Sequence, residues 1–183
     1  LFADISGFTA ISSTLEPDAL REFANECFEP LSIEIEQRGG TVVKYIGDCI
    51  MAVFGAPIEM PDHAIRCVRA ALEMHAKLEH VNKERGHGNI QFNIRSAINS
   101  GPVVAGDIGS PKRKDYSVLG DTVNTASRLE AHVAQPGQLV IGEATYLLVK
   151  DFFEVRPLGS FSLKGKKQQM NAYEVLGEKL GAF

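Results

Sequence analysis

Cysteine is scarce in this chain: Cys27, Cys49 and Cys67 stand alone among 183 residues, and no two of them form a CxxC pair. An odd count without pairing motifs argues against a disulfide framework or a zinc ribbon. It suits a reducing, cytoplasmic setting, either free or on the cytoplasmic face of a membrane-anchored parent protein. Long apolar runs are missing too. The longest candidate, Cys49 to Pro57, is the length of a strand and falls short of the roughly 18 residues a spanning helix needs, so no membrane contact is expected of the domain itself. Excess positive charge is also absent. With 19 basic residues against 23 acidic ones, the chain offers a phosphate backbone little despite basic runs at Lys112 to Lys114 and Lys164 to Lys167, and nucleic acid is not the expected partner.

Familiar catalytic signatures are lacking as well. There is no GxxxxGK[ST], which removes the P-loop NTPases, and no GxSxG elbow for a serine nucleophile. The five histidines form neither HExxH nor a pair four residues apart, so a zinc hydrolase is excluded, and no GGDEF signature occurs. Internal repeats and low-complexity tracts are absent. The hydrophobic fraction of 44% and charged fraction of 23% are those of an ordinary globular protein. A length of 183 residues suits one domain over 1–183. The chain opens at Leu1 without a methionine or a signal segment, and its first strand lacks a beginning. The expectation is a domain excised from a longer regulated protein, with an N-terminal or adjacent regulatory domain outside these residues.

Hydrophobic periodicity supplies the elements. Leu1 to Ile5 reads as the end of a buried strand that runs into Ser6-Gly7-Phe8-Thr9, where a glycine precedes a short helix. Leu20, Phe23, Ala24, Cys27, Phe28, Leu31 and Ile35 recur on one helical face, which predicts a helix over 16–37. Two β-rich runs, 41–46 and 49–54, are separated only by Gly47-Asp48 and predict a tight hairpin. A second amphipathic helix follows from Pro61-Asp62 to Gly86. Residues 90–98 alternate apolar and polar and lead through Ser100-Gly101-Pro102 into 103–108, which predicts a second hairpin. A basic loop at 112–114 precedes a short strand at 116–119. Asp121 is placed as the N-cap of a helix over 122–133, and strands at 138–141, 152–161 and 172–176, with a short helix from Glu143, complete the chain. The order predicts an α+β ferredoxin-like sandwich, a mostly antiparallel sheet with helices packed on one face.

Asp4 ends an apolar strand and Asp48 sits in a Gly-Asp turn. If the first strand and first hairpin are neighbours, the two carboxylates meet at one edge, where divalent ions are their natural neutralisers. From the residues alone a plainer reading stands beside this one, with Asp4 capping a turn and Asp48 occupying a loop. Ser6 to Thr9 could aim backbone N–H groups at phosphate oxygens. Asn124 and Arg128, four apart on a helix, share a face and could address one anionic group. Cys49, in an apolar strand, reads as core rather than nucleophile.

Taken together, Phe2-Ala3-Asp4-Ile5-Ser6-Gly7-Phe8-Thr9, Lys44-Tyr45-Ile46-Gly47-Asp48 and Leu119-Gly120-Asp121-Thr122-Val123-Asn124-Thr125-Ala126-Ser127-Arg128 resemble the class III adenylyl and guanylyl cyclase catalytic domain, bacterial-type adenylyl cyclases most of all. The likeness runs in order from Leu1 to about Leu176. It implies two Mg2+ or Mn2+ per active site, held by Asp4, Asp48 and the Ile5 carbonyl, and conversion of ATP to 3′,5′-cyclic AMP and pyrophosphate. It further implies that Asn124 orients the ribose, Arg128 stabilises the transition state, and Lys164 holds the terminal phosphates. The Phe8 and Thr9 backbone assists that grip. Ser6, Gly7 and Gly47 join the substrate contacts, Lys44 and Ser117 face the base, and a homodimer shares two active sites between its chains. Lys44 suits adenine, whose N1 accepts. Ser117 departs from the aspartate or threonine of the ATP-using members, which leaves a guanylyl or mixed-specificity purine cyclase as the alternative, and an inactive nucleotide-binding dimerisation module as a further one.

Overall fold

The computed structural model describes residues 1–85, 92–162 and 169–181, the side chains of 84 and 85 excepted. Strand β1 (Phe2–Ser6) passes through the short helix α1 (Phe8–Ser12) into the long helix α2 (Pro17–Gln37). The hairpin β2 (Thr41–Ile46) and β3 (Cys49–Val53) follows, then α3 (His63–Arg85), β4 (Asn93–Ile98), β5 (Val104–Ser110) and β6 (Arg113–Leu119). Helix α4 (Asp121–His132), β7 (Leu139–Gly142), α5 (Glu143–Val149), β8 (Phe153–Phe161) and β9 (Met170–Glu178) complete the order. Seven strands form one sheet in the order β2-β3-β1-β4-β7-β9-β8, antiparallel throughout except for β4 beside β7.

This is the expected α+β architecture with a mostly antiparallel sheet. Side chains alternate across it as the pleat requires. Ala3, Ile5, Ile50, Ile94 and Ile141 point to the face covered by Leu31 and Ile35 of α2, Val68 and Met74 of α3, and Val149 of α5. Each fully buried leucine or isoleucine of that layer contributes roughly 2 kcal/mol of transfer free energy. Helix α4 lies over the opposite face, with Leu129 and Val133 against Ala97 and Val140, and Ala126 with Val118 of β6 against Phe2 and Met51.

Two local expectations are corrected. Strand β4 does not pair with β5: it sits between β1 and β7, and β5 instead forms a two-stranded ribbon with β6, in register from Val104↔Leu119 to Ser110↔Arg113. The reason is burial. Ile94, Ser96, Ala97 and Ile98 are buried, as a central strand requires, whereas β5 is largely exposed. The turn closing the ribbon is so tight that a Cβ on Gly109 (φ 149°) would lie 2.2 Å from the Arg113 carbonyl. Arg113 and Lys114 therefore belong to a strand, not to a basic loop. The second correction concerns α4, whose N-cap position is held by Gly120 (φ 142°, ψ 171°), so Asp121 is the acidic residue of the first turn and acts there on the helix dipole.

Candidate active site

The β1–β3 register sets Asp4 opposite Cys49, one residue past the turn that holds Asp48. Gly47 makes that turn possible with a left-handed φ of 62°. The Asp48 carbonyl accepts from the Ile5 N–H at 3.0 Å, which pins the turn against the end of β1. The two carboxyls then lie close enough to share a hydrogen bond. Burial first, then the Asp48 charge and that shared bond, push the Asp4 carboxyl from its ordinary 3.8 up to about 6; Glu130 adds to the rise and Arg95 opposes it. Two carboxylates facing each other at a half-buried edge are the donor set that a hard divalent cation relieves. Asp48 does occupy the hairpin turn, and the turn is held against the end of β1, so the two aspartates are neighbours. Among the described residues no group of three or more His, Cys, Asp or Glu side chains gathers as a metal site.

The loop after β1 is built as the sequence suggests. Gly7 adopts φ 92° and caps α1, and the Thr9 hydroxyl donates to Asp48 Oδ2 at 3.1 Å, tying the start of α1 to the aspartate pair. Phe8 stacks on Phe23 of α2 with ring centroids 5.4 Å apart, which fixes the loop from behind. Cys49 is core-like: burial, followed by the charges of Glu130 and Asp4, pushes its thiol up to about 12, so it stays protonated and is no nucleophile.

Lys44 and Ser117 come together elsewhere. Both line a groove of about 780 Å³ between β2 and the β5–β6 ribbon, with Thr41, Asp115 and Tyr116 among its walls. Asn124 is exposed and Arg128 half-buried on α4, and no described hydrogen bond or ion pair links either to Asp4 or Asp48. Lys164 falls outside the described residues. Within one chain, then, the predicted residues form separate groups: the aspartate pair with Thr9, the groove with Lys44 and Ser117, and the α4 face.

Sequence reasoning missed one further component. Arg95 of β4 stands opposite Asp4 in the sheet and donates from Nη2 to Asp4 Oδ2 at 3.2 Å and from Nε to Glu130 Oε1 at 2.6 Å. The strand alternates apolar and polar residues and Arg95 falls in its polar register, so nothing local set it apart.

The mostly antiparallel sheet of an α+β fold thus brings two aspartates together at the end of β1, beside a glycine loop and a short helix. The comparisons name the family. The model of the adenylate and guanylate cyclase catalytic domain matches residues 1–177, and the chain belongs to that family. Adenylate cyclase 1 of Rhizobium meliloti is 35% identical over 97% of this chain, which spans 27% of that relative's length. The adenylyl cyclase CyaB from P. aeruginosa superposes with a TM-score of 0.90 at 31% identity, covering 98% of this chain and 93% of that one. The guanylate cyclase domain of RhGC from Catenaria anguillulae, solved in complex with GTP, gives a TM-score of 0.84 at 33% identity, covering 97% and 94%.

Proposed function

We propose that the chain is the catalytic domain of an adenylyl cyclase that converts ATP to 3′,5′-cyclic AMP and pyrophosphate in a homodimer with two shared sites. The observation that carries this reading is the convergence of Asp4 and Asp48 at the end of β1, in a chain whose family is built around that chemistry. Asp4, Asp48 and the Ile5 carbonyl would hold two Mg2+ or Mn2+. When bound, such ions lower the pKa of the ribose 3′-hydroxyl and neutralise the triphosphate.

The chain's own groups do the rest. The 3′-oxygen, its proton released to solvent, attacks the α-phosphorus; the new P–O bond closes the ring and the bond to the β-phosphate oxygen breaks, releasing pyrophosphate. Charge grows on the α-phosphate oxygens and the leaving group, where the Arg128 guanidinium stabilises it. Asn124 orients the ribose. Lys164 and the backbone of Ser6, Gly7, Phe8 and Thr9, with Gly47 leaving room at the hairpin tip, hold the phosphates. Lys44 donates to adenine N1 and Ser117 accepts from the exocyclic amine. Two features support a dimer. Lys44 and Ser117 line a groove apart from the aspartates, and Tyr45, Ile46, Val104 and Leu119 expose apolar surface along β2 and the β5–β6 ribbon.

One observation favours a second reading. The Ser117 hydroxyl can donate to guanine O6 as readily as it accepts from adenine, so a guanylyl or mixed purine cyclase is the alternative. The purified domain, incubated with Mg2+ or Mn2+ and either ATP or GTP, decides between them by the identity of the cyclic product. Cyclic AMP as the main product upholds the first reading, cyclic GMP in comparable or greater amount the second, and no cyclic product from either nucleotide refutes both.

A further inference from the structure

Arg95 is a single guanidinium placed between two carboxylates, and the two bonds are unequal. Its Nε reaches Glu130 Oε1 at 2.6 Å, while its Nη2 reaches Asp4 Oδ2 at the longer 3.2 Å. Glu130, on α4, is 7% exposed. A buried carboxylate must keep a partner, and Arg95 is that partner. Were Glu130 uncharged, the planar fork of Arg95 would be free to close on Asp4 through two parallel N–H bonds, the strongest arrangement open to an arginine and a carboxylate. A guanidinium held that way occupies the lone pairs that a divalent cation needs. From this geometry we infer that Glu130 is a positioning residue: by holding Arg95 it keeps Asp4 open to the metal.

The inference rests on the proposed metal role of Asp4. It assigns Glu130 no contact with substrate and makes Arg95 the element through which Glu130 acts. It also gives α4 a second duty. The helix that presents Asn124 and Arg128 on one side regulates, through Glu130, how strongly Asp4 is already neutralised before a cation arrives.

The test measures metal binding without turnover. The dimer is saturated with 3′-deoxy-ATP, which lacks the attacking hydroxyl, and free Mn2+ is followed through its electron paramagnetic resonance signal. Melting curves verify that each variant folds. Glu130→Gln should raise the Mn2+ concentration at half-saturation by about tenfold, the scale of a charge-assisted bidentate bond gained by the competitor. Glu130→Asp, which retains the charge, should stay near wild type. Adding Arg95→Gln to Glu130→Gln should return half-saturation to the wild-type value or below, because the competitor is gone. A Glu130→Gln protein that binds Mn2+ like wild type, while Asp48→Ala weakens binding, overturns the inference and leaves the metal reading intact. If Asp48→Ala also binds like wild type, the metal reading itself fails. A double variant as weak as Glu130→Gln alone would show that Glu130 acts through the fold and not through Arg95. Where Glu130→Gln does not fold, Arg95→Gln supplies the answer: half-saturation should fall severalfold, and an unchanged or higher value overturns the inference.

Discussion

His75 gives the fold a predictable acid sensitivity that is independent of the active site. Its ring lies on α3 beside a cavity of about 580 Å³ whose walls include Glu79, Lys83 and Asn82, and its Nε2 is 2.8 Å from Ser96 Oγ, in a residue 1% exposed. Glu79 is engaged by Lys83 at 2.7 Å and so offers His75 little charge compensation. Burial lowers the imidazole from its ordinary 6.5 to about 4. The unfolded chain therefore binds a proton at a pH where the folded one does not. Stability is fully present above about 6.5 and is lost as pH falls toward 4, by at most about 3 kcal/mol at 1.36 kcal/mol for each pH unit of separation. Urea unfolding in EDTA at pH 7.5 and pH 4.5 isolates the effect when wild type is compared with His75→Gln, since the other titrating groups cancel between the two proteins. Wild type should lose about 2 kcal/mol more than the variant over that interval. Equal losses would refute the assignment of a neutral, buried His75.

Base choice is expected to follow the groove between β2 and β6. Lys44→Glu with Ser117→Cys should shift preference from ATP toward GTP by about tenfold to a hundredfold, since each unpaired polar group in such a pocket costs about 1 to 3 kcal/mol, and an unchanged ratio of the two activities would remove both residues from base recognition. Shared sites predict complementation. Arg128→Ala should cost about a hundredfold to a thousandfold in rate. When Asp48→Ala and Arg128→Ala chains, each nearly inactive, exchange at random, half the dimers are mixed and carry one intact site of two, so activity should return to about a quarter of wild type. A dead mixture, with chain exchange demonstrated, would contradict the shared architecture.

The parts of the fold that were legible in the sequence are those set by local chemistry. The apolar stripe from Leu20 to Ile35 gave α2, and Gly47-Asp48 between two β-rich runs gave the β2–β3 hairpin to within one residue of the prediction. The pairing of Asp4 with the hairpin turn followed once those two elements were taken as neighbours. Pairing between strands far apart in sequence was less accessible. Ser100-Gly101-Pro102 reads as a hairpin turn, yet β4 gains more by pairing both edges with β1 and β7, where its residues are buried, than by pairing with the exposed β5. Arg95 was missed for a related reason. Its two partners stand 35 and 91 residues away, and neither separation leaves a periodic trace. At the start of α4 two adjacent residues both carry cap-compatible chemistry, and the glycine won because it alone tolerates the φ of 142° found there.

That Asp4 and Asp48 together make this domain a nucleotide cyclase can be measured with ATP labelled at the α-phosphate. Wild-type protein in Mn2+ should move the label into 3′,5′-cyclic AMP and release pyrophosphate in equal amount. Asp4→Ala and Asp48→Ala, folded by their melting curves, should each yield no cyclic product above background. Near-normal conversion by either aspartate variant, or wild-type label appearing only in AMP or ADP, would contradict the reading.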